Sequence, residues 1–490
     1  MSFPLHDPLP LRRTPRAGLR MAGVGLLASL SLTAYSAGAT AAHVGDQQPR
    51  VPAAVLSPVQ VPGTTPMAAA AVDLRKSGYA EREFYATGRA HRYRGAVTGA
   101  QTDAQVIDGG WDYKTRALVR WPEARPFNGT LVVEWFNVTA GQDVDFAWAE
   151  SHEHLLRQGY AFAAVSAQRV GVERLKTWSP QRYGTLSVAA DNVDPAGGVL
   201  DPTNDPLSWD VMAQVSAALK ANAGADPPLP GLHVRRVLAL GESQSAGRLS
   251  TYYNTIQPLH RFFDGFVFLD RASQLRGDLS TPAVSVNSEA LSWLPVASGS
   301  EYFRIWEVAG ASHASLYGAR YVDAMVLRDR SLQGPSGPIS FTRSIELMNC
   351  GLLPLFSTVD VGLVLNAAID SVDRWVRTGR AAPATAYFER GSDGELTRDA
   401  NGRVVGGVHL SHYDAPTDVI VARNTGPIFC QLSGHHRPYT SAELTAMYGT
   451  HRTYVARVLA SVRTAARGGY LLPLDAVEVL RTAVLSDIAR

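Results

Sequence analysis

The chain is poor in several features that would announce a function. Its 490 residues include only two cysteines, Cys350 and Cys430, which excludes a disulfide-dense scaffold and a cysteine-built zinc cluster. The formal net charge is only +2, so the basic footprint of a nucleic-acid binder is missing. There is no G-x-x-x-x-G-K-[ST] loop, no G-x-G-x-x-G behind a strand and no H-E-x-x-H, so no nucleotide cradle or helix-borne zinc site is written here. His152-Glu153-His154 has the composition of a metal cluster, but residues two apart on a helix face away from each other. No cofactor and no metal are expected. Hydrophobic residues make up 46% and charged residues 18%, enough to build a large core.

What is present begins at the N-terminus. Arg12, Arg13, Arg16 and Arg20 precede the apolar stretch MAGVGLLASLSLTAYSAGATAA, which ends in the small-residue sites Ala37-Gly38-Ala39 and Ala39-Thr40-Ala41. Residues 1–41 thus read as a signal peptide, the apolar core being too short for a bilayer anchor. Arg12-Arg13 hints at twin-arginine export, although Thr14-Pro15 fits that pattern poorly. The expectation is export to the periplasm, the cell envelope or the exterior, with no membrane span after signal removal. Loss of the leader turns the net charge slightly negative. In an oxidising compartment Cys350 and Cys430 are disulfide candidates, closing a loop of about 80 residues at a gain of about 4 kcal/mol.

Residues 42–75, rich in Pro, Ala and Val, read as a linker or extended segment, and residues 76–490 as one domain with insertions and a core at about 128–380. Alternation between residues 80 and 126 predicts an antiparallel portion. TLVVEWFNV (130–138) and YAFAAVSAQ (160–168) are strands buried on both faces, separated by a helix ending at Gly159. A helix over 205–224 and the strand RRVLALGES follow, then strands at 263–271, 281–289 and 303–313. Strands alternating with helices imply a parallel sheet with helices on both faces. Beyond it come an amphipathic helix ending at Gly379, a hairpin turning at Asn401-Gly402, and two closing helices. The fold class is α/β: a mostly parallel central sheet flanked by helices, with an N-terminal β portion and a C-terminal hairpin and helical extension.

The chemistry centres on Gly241-Glu242-Ser243-Gln244-Ser245, between a buried strand and a helical pattern. A serine on a sharp strand-to-helix turn needs small residues two positions away on each side, and Gly241 and Ser245 supply them. Ser243 is therefore a candidate nucleophile. A serine needs a base, and the base an orienting acid, in the order Ser, acid, His. His313 follows Gly310-Ala311-Ser312 at the carboxyl end of the last sheet strand, where open α/β sheets carry their sites. Its rival His260 precedes a strand, at the opposite end of the sheet. Two carboxylates compete for the acid: Glu289, ending the strand before the histidine strand, is the first choice, and Asp270, one strand earlier, is the alternative. Oxyanion donors are assigned to the amide of Gln244 and to Asn137 or Val138 in the loop after TLVVEWF. Glu242 is assigned a structural role, since the elbow aims it away from the serine.

WFNVTAG, DPLSWDV, LGESQSAGRL, the strand ending NSE, WEVAGASHA, DRWVRTGRAAP and GRVVGGVHL together resemble a family of bacterial α/β-hydrolase-domain proteins, often exported, over roughly residues 80–440. The resemblance implies a serine hydrolase with Ser243, Glu289 and His313 as triad. It departs at Ala290-Leu291, where a Thr-Asp pair would follow the acid. The resulting expectation is an exported serine hydrolase cleaving carboxylic esters of small molecules or polymers through an acyl-enzyme. An acyltransferase using the same triad and a non-catalytic binding protein on this fold are the alternatives. No nucleic-acid partner is expected.

Overall fold

The computed structural model describes residues 51–270 and 273–490; the expected signal peptide, residues 42–50, Arg271 and Ala272 lie outside the described residues. Nine strands form one sheet in the order β1-β2-β3-β5-β4-β6-β7-β8-β9. They run Val55–Pro58 (β1), Tyr79–Arg94 (β2), Gln105–Pro122 (β3), Thr130–Trp135 (β4), Ala161–Val165 (β5), Arg236–Glu242 (β6), Gly265–Leu269 (β7), Ala283–Ser288 (β8) and Phe303–Val308 (β9). β1–β3 pair antiparallel, β3 joins β5 antiparallel, and β5 through β9 are parallel to their neighbours. The domain is an α/β-hydrolase fold.

The parallel strands are continuous apolar runs because helices cover both faces: β4, β5 and β7 are buried along their whole length. Helix α1 (Phe146–Gln158) ends at Gly159, whose φ of 73° closes the helix in the left-handed region. Helices α2 (Ser208–Ala221), α3 (Gln244–Thr251), α4 (Leu316–Asp329) and α5 (Gly362–Thr378) complete the layers.

The antiparallel portion has a second task. Arg116 and Arg120 on β3 are fully buried. Arg116 Nη2 lies 3.0 Å from Asp143 Oδ2, and Arg120 Nη1 lies 2.6 Å from Asp145 Oδ2. Glu83 and Glu81 on β2 complete the two clusters. Both aspartates sit in the loop between β4 and α1. The long hairpin therefore clamps the loop that carries Asn137 and Val138, and each buried charge is paired as its desolvation demands.

Two expectations about the C-terminal extension are adjusted. The hairpin around Asn401-Gly402 is a set of isolated bridges, including Arg398 with Val404, rather than a regular ladder. Three helices close the chain: α7 (Ser441–Tyr448), α8 (His451–Gly468) and α9 (Pro473–Leu485), after a short α6 at Ile428–Ser433. The first expected helix breaks because Gly449 takes a φ of 68° and Thr450 caps a new helix through the amide of Thr453. Cys350 and Cys430 are bridged, with Cα atoms 5.2 Å apart. Among the described residues no helix is long and apolar enough to cross a membrane.

Candidate active site

The elbow follows from two small residues, Gly241 and Ser245, around one strained residue. Ser243 has φ 52° and ψ −115°, unfavourable for a side chain bearing a Cβ and sustained by its surroundings. Its amide donates to the carbonyls of Leu269 and Asp270 at 2.8 and 3.0 Å, tying the turn to β7. A Cβ on Gly241 would meet the Ser245 carbonyl oxygen at 2.9 Å, so the position requires glycine. Ser245 is buried; its hydroxyl donates to the Glu242 carbonyl at 2.8 Å and accepts the Glu242 amide at 3.0 Å. A serine two residues on thus does more than a glycine would there.

His313 lies beyond β9, after Gly310 at φ 72°. Its Nδ1 is 2.8 Å from Asp270 Oδ2. Asp270 is fully buried and itself bends at φ 50°, which turns its carboxylate toward the histidine loop. Glu289, the first choice for the acid, does not take this place. Its carboxylate accepts the Gly310 amide at 2.7 Å and Arg398 Nη2 at 2.8 Å. The chain turns into a short 3-10 helix at Glu289–Leu291, and the carboxylate braces the start of the histidine loop instead of the ring. The orienting contact belongs to the alternative, Asp270.

The other ring nitrogen faces a second carboxylate. His313 Nε2 is 3.1 Å from Glu242 Oε1, and among the described residues its partner is this carboxylate rather than Ser243. Glu242 is buried, and its Oε2 accepts Asn137 Nδ2 at 2.8 Å. The structural role assigned from sequence therefore understates it. Burial opposes a charged His313, but the charge of Glu242 and the bond to Asp270 outweigh it and push its pKa up to about 10. Burial raises the Glu242 carboxyl in turn.

Asn137 is corrected as an oxyanion donor. Its amide donates to the Val144 carbonyl at 3.0 Å, and its side chain holds Thr139 N and the Glu242 backbone. The amides of Val138 and Gln244 have no acceptor among the described residues; Val138 lies in the loop after β4, and Gln244 opens α3 directly behind Ser243.

Two other buried histidines have partners of their own. His260 bonds Tyr252 and Asp210 in a separate buried cluster. His152 bonds the Ala149 carbonyl and the Tyr317 hydroxyl. A cavity of about 1260 Å³ is lined by Glu289, Trp293, Arg398 and Gly310, but not by Ser243 or His313.

No curated relative matches the sequence. Solved structures with partial likeness include an α/β serine hydrolase without lid from Xanthomonas campestris, 12% identical, covering 44% of this chain and 86% of that one at a TM-score of 0.28. Acetyl xylan esterase 1 from Thermoanaerobacterium sp. JW/SL YS485 is 14% identical, covering 44% and 51% at a TM-score of 0.24. An alpha-beta serine hydrolase homologue from Coxiella burnetii is 11% identical, covering 45% and 92% at a TM-score of 0.26. The decisive match is to a family model described as an alpha/beta hydrolase domain, which spans residues 50–481; the chain belongs to that family.

Proposed function

We propose that the protein is a serine hydrolase that cleaves carboxylic esters through an acyl-enzyme, with Ser243 as nucleophile, His313 as base and Asp270 as the orienting acid. The observation that carries this reading is the bond from His313 Nδ1 to Asp270, formed beside an elbow that holds Ser243 at a strained φ. Ser243 Oγ attacks the ester carbonyl while its proton passes to His313 Nε2. The imidazolium then gives that proton to the departing alcohol. Water enters by the same route and releases the acid. The amides of Gln244 and Val138 are the donors for the tetrahedral oxyanion.

Family membership supports hydrolase chemistry, and the Cys350–Cys430 bridge fits an oxidising, exported location. The substrate is an ester of a small molecule or polymer. The test is turnover of p-nitrophenyl acetate by wild type and by Ser243→Ala, with folding checked by circular dichroism. A loss of about 10³-fold or more is expected. Equal turnover in the two would refute the assignment.

A further inference from the structure

Both ring nitrogens of His313 face a carboxylate: Nδ1 to Asp270 at 2.8 Å and Nε2 to Glu242 at 3.1 Å. The contact to Asp270 is a hydrogen bond, and the contact to Glu242 is an ion-pair approach whose negative charge favours the doubly protonated ring. Glu242 is not free to leave. Asn137 Nδ2 holds both its Oε2 and its backbone carbonyl, at 2.8 and 3.0 Å, and the Asn137 amide is fixed to Val144. The carboxylate is thus aimed at Nε2 by the loop that Arg116 and Arg120 clamp.

We propose that Glu242 is a positioning residue that acts through His313, its anchored carboxylate standing beside Nε2 so that the resting enzyme holds its base protonated between two carboxylates. This rests on the reading of Ser243 and His313 as nucleophile and base. Raising the pH removes the proton from the Glu242–His313 pair to solvent, and the Nε2 lone pair becomes available to the serine hydroxyl. When Oγ bonds to the carbonyl carbon, its proton moves to Nε2 and the carbonyl π electrons move to oxygen. The imidazolium so formed sits between the same two carboxylates, which are already oriented for it.

The surroundings of the ring support this. Besides Glu242 at the end of β6 and Asp270 at the end of β7, two carboxylates brace its loop. Glu289 is bonded to the Gly310 amide and ion-paired with Arg398. Glu150 on α1 accepts the Ser315 amide and hydroxyl at 2.8 and 2.7 Å. Burial raises the Glu150 carboxyl to about 8, so it adds little negative charge near neutral pH.

The experiment is the pH dependence of kcat/KM for p-nitrophenyl acetate between pH 6 and 10, with the Ser243→Ala rate subtracted, for wild type, Glu242→Gln and Glu242→Asp. Wild type is expected to gain activity through an acid limb centred above pH 8. In Glu242→Gln the limb should fall by about one pH unit or more, because one counter-charge is gone. Glu242→Asp should move it less. A Glu242→Gln profile with the wild-type midpoint overturns the proposal. Nitrogen-15 NMR of the unmodified wild type keeps the test independent of the variants. Two protonated ring nitrogens of His313 at pH 8 are expected, and a count of one overturns the proposal. That count does not depend on Ser243 being the nucleophile, whereas full turnover in Ser243→Ala would remove only that reading.

Discussion

The main-chain amide of His313 donates to the carbonyl of Leu432 at 3.0 Å. Leu432 lies in α6, the short helix that also carries Cys430, and Cys430 is bridged to Cys350. The disulfide therefore staples the element that fixes the backbone of the proposed base. Reduction, or the double replacement Cys350→Ser with Cys430→Ser, should lower esterase turnover several-fold at temperatures well below unfolding. It should also remove about 4 kcal/mol of stability, as expected for a loop of this length. Turnover and thermal melts with and without reductant check this; unchanged turnover in a fully reduced sample would uncouple α6 from the site.

The two carboxylates that compete for the acid can be separated. Asp270→Asn should cut kcat by about 10³- to 10⁴-fold with little effect on KM, because the ring loses the group that fixes its tautomer and stabilises its charge. Glu289→Gln keeps an acceptor for the Gly310 amide and should cost less than about 10-fold. Steady-state kinetics of both variants decide it. The reverse ranking would return the acid role to Glu289.

The arginine clamp on the β4–α1 loop should be costly to break from one side. Arg120→Met leaves Asp145 and Glu81 without their cation, a loss of about 3–5 kcal/mol for a buried pair. Urea unfolding monitored by tryptophan fluorescence measures it. A loss under about 1 kcal/mol would show that the clamp is not holding the loop.

His154 offers a pH test in the acid range. It is fully buried on α1, and neither ring nitrogen has a partner among the described residues. Burial, aided by Arg157, lowers its pKa to about 3. The unfolded chain takes the proton near pH 6.5, so the native state loses stability as pH falls from there toward 3. His154→Leu removes the titration and an unsatisfied polar ring. Its melting temperature should exceed wild type by a margin that grows from pH 8 to pH 5. A constant or shrinking margin would contradict the assignment.

Much of this site is legible in the sequence because its positions obey local rules. Ser243 stands out since Gly241 and Ser245 meet a steric demand that few strings satisfy between a buried strand and a helix. His313 stands out because it follows the last strand, in the loop at the carboxyl edge of the sheet. The acid is not legible: Asp270 and Glu289 both end adjacent parallel strands. What separates them is a left-handed backbone at Asp270 and the claim of the Gly310 amide on Glu289. Glu242 is misread for a similar reason, since its direction depends on Asn137 reaching across from β4. Asn137 itself looks available as a donor until the bridge to Val144 forms. One further signal lies in the sequence itself. Arg116 and Arg120 stand four apart within the apolar run of β3, on one face of the strand, and buried arginines there imply acidic partners.

The most direct test of the account is covalent capture of the nucleophile. Wild-type protein treated with a fluorophosphonate should gain one adduct by intact mass, mapped by peptide sequencing to Ser243. The adduct should be absent in Ser243→Ala and form about 10³-fold more slowly in Asp270→Asn. An adduct on another serine, or no adduct on the folded wild type, would contradict it.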